Sequence, residues 1–209
     1  MKKFFLTMAL MIMFVSANAQ SKADEWNSFE VSYNPMTLVI DTQNGKDQDF
    51  TGFTAAFNHK ISVANATPIF VEVGGAVNAA FWSDTEDGVD MNITFVSAKV
   101  PVSLMYKWNV SDAVSILPFG GLYARFNVVG KLKAEDDFDD ESLNLFDKKD
   151  VQEIGWDDAC KRFQIGYQIG ANIMFNDTWH IGLAWASDFS ELRKKCKFNT
   201  PAITIGFDF

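Results

Sequence analysis

The chain has 209 residues, 48 % of them hydrophobic, and a formal net charge of −9. That length suits one domain, and an acidic chain with few basic clusters argues against nucleic acid as a partner. No internal apolar run reaches the about 20 residues that a membrane-spanning helix needs. The chain therefore either stays in water or enters lipid as a closed barrel of strands.

The first residues point to export. Lys2 and Lys3 precede an apolar run from Phe4 to Val15, broken only by Thr7, and Ala17 and Ala19 then frame an A-x-A site before Gln20. A basic start, a short oily stretch and small residues at the end are the pattern of a cleaved secretory signal. We expect a signal peptide over residues 1–19, cleaved between Ala19 and Gln20, and a single domain over 20–209. Loss of Lys2 and Lys3 takes the charge to about −11.

Beyond that point the sequence alternates. Side chains of a strand point to opposite faces in turn, so an oily/polar rhythm of two marks a half-greasy strand. The first candidate, Trp26 to Ile40, places Phe29, Val31 and Tyr33 on one face and changes phase at Asn34-Pro35, where a bulge is expected. The second, about Phe50 to Val63, sets Phe53, Ala55, Phe57 and Ile61 against Thr54, Asn58 and Lys60. The third, near Ile69 to Trp82, opposes Val71, Val73, Val77 and Phe81 to Glu72 and Asn78. The fourth, Asn92 to Trp108, opposes Val96, Val100, Val102, Leu104 and Tyr106 to Lys99, Ser103 and Lys107. The fifth, Val114 to Val129, opposes Ile116, Leu122, Ala124 and Phe126 to Tyr123, Arg125 and Asn127. The sixth alternates without a break from Phe163 to Phe175; the seventh runs from Trp179 to Phe189; the eighth ends on Ile203, Ile205, Phe207 and Phe209.

Short connections at 64–67, 109–112 and 176–178 alternate with longer polar stretches at 41–49, 83–90, 130–158 and 188–199. An even number of strands with short turns on one rim and long loops on the other describes an all-β, eight-stranded antiparallel up-and-down transmembrane barrel. Both termini and the short turns then share the periplasmic side. A soluble barrel of the lipocalin kind would alternate too, with its oily face inward. Three features favour lipid: strands longer than the five or six residues usual in soluble proteins, Trp82, Trp108 and Trp179 at strand ends, where membrane interfaces collect such rings, and a polar face carrying charges of both signs. Those charges, Glu30, Glu72, Lys99, Arg125, Arg162 and Asp208, are expected to pair inside the lumen.

The segments Val100 to Trp108, Leu117 to Tyr123, Ile165 to Ala171 and Ile205 to Phe209 resemble the small outer-membrane β-barrel family that includes the OmpA barrel domain and OmpX, also described as porin-family barrel domains. The resemblance covers the chain beyond the export signal. It implies an integral protein of the Gram-negative outer membrane, surrounded by lipid. It also implies that Ile205, Phe207 and Phe209 form a C-terminal signal read by the barrel-assembly machinery. An architecture follows from it, not an activity.

Cys160 and Cys196 are the only cysteines. Both map to the long-loop rim of an exported protein, where a bridge is expected; closing about 37 residues, it would stabilise by roughly 3–4 kcal/mol. Two unpaired thiols are the alternative if the intervening strand holds them apart. The third long loop is acidic, with Glu135, Asp136, Asp137, Asp139, Asp140 and Glu141, but it lacks the spacing of a calcium loop and reads as a solvated segment. His59 and His180 both fall near the short-turn rim without an evident Ser-His-acid set, which argues against catalysis. We expect no cofactor and no metal. Loops 83–90 and 130–158 are the expected contact sites for an external ligand.

Overall fold

The structure, a computed structural model, describes residues 25–41, 46–64, 67–86, 89–135 and 140–209. The expected export segment with its cleavage site at Ala19 and Gln20 lies outside the described residues, as do positions 136–139 of the acidic loop. Among the described residues the elements run β1 (Glu25–Tyr33), β2 (Met36–Ile40), β3 (Gln48–Ser62), β4 (Ile69–Glu86), β5 (Val89–Tyr106), β6 (Trp108–Asn109), β7 (Val114–Glu135), β8 (Asp140–Asn144), α1 (Lys148–Glu153), β9 (Phe163–Phe175), β10 (Trp179–Asp188) and β11 (Cys196–Asp208).

The sheet closes on itself because β1 pairs antiparallel with β3 on one edge and with β11 on the other. β2 resumes the path of β1 after Asn34 and Pro35 and pairs with the same two neighbours. The wall therefore has eight staves: the interrupted β1/β2, then β3, β4, β5, β7, β9, β10 and β11. β6 and β8 are short additions that pair with β7 at opposite ends. Tight turns fit the sequence that makes them. Between β9 and β10, where Phe175 pairs with Trp179, Asn176 and Asp177 take φ values of 49° and 51°, the left-handed conformation that Asn and Asp tolerate, and the Thr178 amide donates to the Phe175 carbonyl.

The oily face looks outward. Ile165 is 47 % exposed, Ile181 51 % and Val102 47 %, whereas Gln164, His180 and Ser103 on the alternate positions are buried. That arrangement excludes the soluble-carrier alternative, whose apolar face would line the interior. A belt of exposed Phe, Ile, Leu and Val in water would drive aggregation; in hydrocarbon it is the complementary surface. Trp108 and Trp179 stand on the outer face at the short-turn rim.

Three expectations need correction. The phase does not change at Asn34-Pro35: Asn34 and Met36 are both buried and Leu38 packs inward as well, because inward positions near the outer mouth line an apolar core and no longer a polar tube. Residues 83–86 and 89–90 belong to strands and not to a free loop, since β4 and β5 stay paired as far as Glu86 and Val89. Part of 130–158 likewise continues the ladder, β7 running to Glu135 against β8. Trp82 is the third: it packs against the core at the outer mouth and is not a lipid-boundary ring.

Leu183, 63 % exposed and mid-strand in β10, tests the direction of the oily face. Leu183→Arg should destabilise the folded barrel by about 2–4 kcal/mol in lipid vesicles, the cost of a cation near the bilayer midplane. Urea unfolding followed by tryptophan fluorescence reads this directly, and a neutral or stabilising change would contradict a lipid-facing Leu183.

Candidate functional site in the barrel lumen

Because inward residues of neighbouring strands sit side by side, the ladder decides which lumen groups meet. Lys60 stands opposite Glu72, Ser28 opposite Asp208, and His180 opposite Gly206. The lumen has three zones as a result.

At the periplasmic end the Lys60 ammonium, 1 % exposed, lies 3.2 Å from Asp208, 3.4 Å from Glu30 and 3.6 Å from Glu72. It also donates to the Ser28 hydroxyl at 2.8 Å, and Ser28 in turn donates to Glu30. His180 bridges the same carboxylates, with Nδ1 2.5 Å from Asp208 and Nε2 3.4 Å from Glu30. Trp26 Nε1 donates to the other Asp208 oxygen. Gly206 leaves the space that the His180 ring fills, where a Cβ would collide with it. Below this network Phe70, Met105, Leu117 and Met174 form an apolar floor, with Trp26 and Phe119 against them. One ammonium shared by three carboxylates gives each acid a partner where water is scarce, which is the condition for keeping such groups buried.

The middle is a chamber of about 120 Å³, room for several waters. Lys99 donates to Gln168 Oε1 at 2.7 Å, and Gln168 donates on to Ser103. Above it Asp188, 2 % exposed, accepts from the Tyr123 hydroxyl at 2.6 Å, from the Arg125 guanidinium and from the Phe198 amide.

The outer mouth is closed by an apolar cap. Phe50, Phe95 and Phe198 point inward with centroids 5.6 to 5.9 Å apart, Phe198 meeting both others edge to face and Phe50 tilted against Phe95. Over them fold Leu145, Val151 of α1, Cys160 and Leu192. The Asp147 side chain caps α1 by accepting from the Lys149 amide, the arrangement by which an acid satisfies a free helix N–H. Two cation–π contacts hold the cap's edges, Arg162 over Phe146 at 4.3 Å and Arg193 over Trp156 at 4.0 Å.

The expected lumen charges divide. Glu30, Glu72, Lys99, Arg125 and Asp208 point inward, but Arg162 does not: it is exposed on the outer rim, donating to the backbone carbonyls of Asn127 and Val128. Its position one residue before β9 frees it from the strand's alternation. Sequence reasoning left Asp188 out of the lumen and gave Lys60 no partner, although both fall on inward positions once the rhythm is carried to the strand ends. Ser28, His180 and Asp208 belong to one buried network, in which the Ser28 hydroxyl serves Lys60 and Glu30 while His180 serves Asp208. His59 sits on the lipid-facing phase, hydrogen-bonded to Asn27 and 3.8 Å from Glu25. Cys160 and Cys196 are both buried and both free thiols, so the expected bridge is not formed in this structure. Burial pushes the Cys160 thiol up to about 12, against the opposing pull of the Arg193 guanidinium.

A closed eight-stranded membrane barrel is the class that these features define. The model of the family described as "Outer membrane protein beta-barrel domain" matches residues 7–209, and the chain belongs to that family. It is an outer-membrane protein. No curated protein matches it. Solved structures similar to it include Ail, the attachment invasion locus protein of Yersinia pestis, solved with the heparin analogue sucrose octasulfate, at 17 % identity and a TM-score of 0.47, covering 89 % of this chain and 99 % of that one. Neisserial surface protein A is 7 % identical with a TM-score of 0.46, covering 90 % and 100 %. The outer membrane enzyme PagL is 9 % identical with a TM-score of 0.42, covering 84 % and 97 %.

Removing the shared ammonium tests the inner network. Lys60→Met removes the one cation that all three carboxylates share and should cost about 3–5 kcal/mol of unfolding free energy, measured in lipid vesicles; a loss under about 1 kcal/mol, the worth of an exposed pair, would contradict a buried cluster. The thiols give a second test. Protonated and enclosed, they should resist iodoacetamide in the folded barrel and add two labels by mass spectrometry after denaturation without reductant. A denatured chain that takes label only after reduction would reveal a bridge instead.

Proposed function

We propose that this protein is a non-enzymatic outer-membrane barrel with a sealed lumen, which acts through its external rim in adhesion, partner recognition or envelope integrity. The observation that carries this reading is the closure of both ends of the lumen by different means. An ionic network over an apolar floor fills the periplasmic end, and a cap with its own core covers the outer mouth. Eight strands leave an interior just wide enough for side chains to fill, so the geometry favours a post over a pore. The outer end of the β4–β5 hairpin and the β7–β8 ladder with α1 carry the surface available to an external partner, and their described residues fall largely within the segments 83–90 and 130–158.

Catalysis has little support in the arrangement of groups. A nucleophile must reach its substrate, and Ser28 is fully buried with its hydroxyl committed to Lys60 and Glu30. Both histidines lie toward the short-turn rim, away from the outer leaflet. Export by a leader over residues 1–19 and recognition of Ile205, Phe207 and Phe209 by the barrel-assembly machinery complete the proposal.

Planar bilayers test it. The purified protein should give no steady openings above the baseline of protein-free membranes, and sustained large conductance steps would overturn the sealed lumen.

A further inference from the structure

Midway along the lumen two cations face each other. Lys99 of β5 and Arg125 of β7 are direct cross-strand partners, and both line the central chamber. Like charges placed directly opposite on a ladder destabilise it, and the penalty grows where the surroundings screen poorly. Among the described residues only Asp188 lies within ion-pair distance of either cation. Asp188 pairs with Arg125, and the Tyr123 hydroxyl and the Phe198 amide share its oxygens. Lys99 makes no ion pair among the described residues; its ammonium donates to the neutral Gln168 carbonyl and lies 4.2 Å from the centroid of the Tyr123 ring. Arg125 is 5 % exposed, and its Nε has no acceptor among the described residues. The other acids that line the chamber, Glu30 and Glu72, are engaged with Lys60.

The outer half of the chamber thus holds two cations against one anion, an orphaned buried donor, and about 120 Å³ of space beside them. We propose that a small monovalent inorganic anion, chloride in kind, binds in the lumen between Lys99 and Arg125. It supplies the acceptor that Arg125 Nε lacks and the charge that offsets Lys99. A monovalent ion matches the one cation, Lys99, that has no carboxylate in contact, whereas a divalent oxyanion would overcompensate it and meet the Glu30 and Glu72 carboxylates across the chamber more strongly. The anion is a structural ligand of the wall, and the proposal does not depend on what the external rim contacts.

The test uses the full chain folded in lipid vesicles, heated in sodium chloride, sodium bromide or sodium gluconate at equal ionic strength. Gluconate, a bulky and strongly hydrated anion, is the reference. Chloride and bromide should raise the wild-type melting midpoint by roughly 3–8 °C over gluconate. Lys99→Met should abolish that difference while melting in gluconate no lower than the wild type, because the like-charge opposition is gone. If Lys99→Met does not fold, Lys99→Gln serves the same comparison. Chloride NMR linewidths of wild-type vesicles, broadened by binding and narrowed again by added bromide, provide a readout that needs no variant. Equal wild-type midpoints in chloride and gluconate, an equal chloride effect in the Lys99 variant, or linewidths that bromide leaves unchanged would overturn the proposal.

Discussion

The rest of this structure depends on the closing of the backbone ladder, in which β1 takes hydrogen bonds from β3 on one side and β11 on the other. In hydrocarbon an unpaired N–H or C=O has no water to turn to and costs several kcal/mol. An open edge is therefore excluded, and the first and last strands must find each other. Closure then divides every strand between two environments. One set of side chains meets acyl chains and the other is enclosed in a tube too narrow for bulk water.

Enclosure creates a second problem, because the inward set is polar. A buried charge is tolerable only when it is paired and hydrogen-bonded, and the ladder provides this by register. Lys60 and Glu72 are neighbours across β3 and β4, and Asp208 and Ser28 across β11 and β1. His180 reaches the same carboxylates through the gap that Gly206 leaves. A one-residue slip at any of these pairings would turn the whole inward set toward lipid, so the network and the lipid face specify the same register.

At the outer end the solvents change places. Once the strands rise past the lipid, the outer face meets water and the inner face can form an ordinary apolar core. Phe50, Phe95 and Phe198 do so under α1 and Leu192. The protein consequently has an oily exterior at membrane depth and an oily interior above it. The cap covers the mouth with residues from β3, β5, β11 and the segment between β8 and β9, which join only in the folded chain.

Much of the wall was legible from residue type and spacing. The alternation from Phe163 to Phe175 marks both the extent of β9 and its lipid face, because a period of two has one structural meaning. The chain determined by itself the closed barrel, the outward phase of its strands and the inward direction of Glu30, Glu72, Lys99, Arg125 and Asp208. The tertiary structure decided which of those groups touch, since Lys60 finds Asp208 through contacts 148 residues apart in sequence. It also decided that Met36 and Trp82 turn inward to the cap and that Arg162 stays on the rim. Periodicity records the side of the wall that a residue occupies, but not its height along the barrel axis, and height sets whether an inward position meets a charge, a water-filled chamber or an aromatic core.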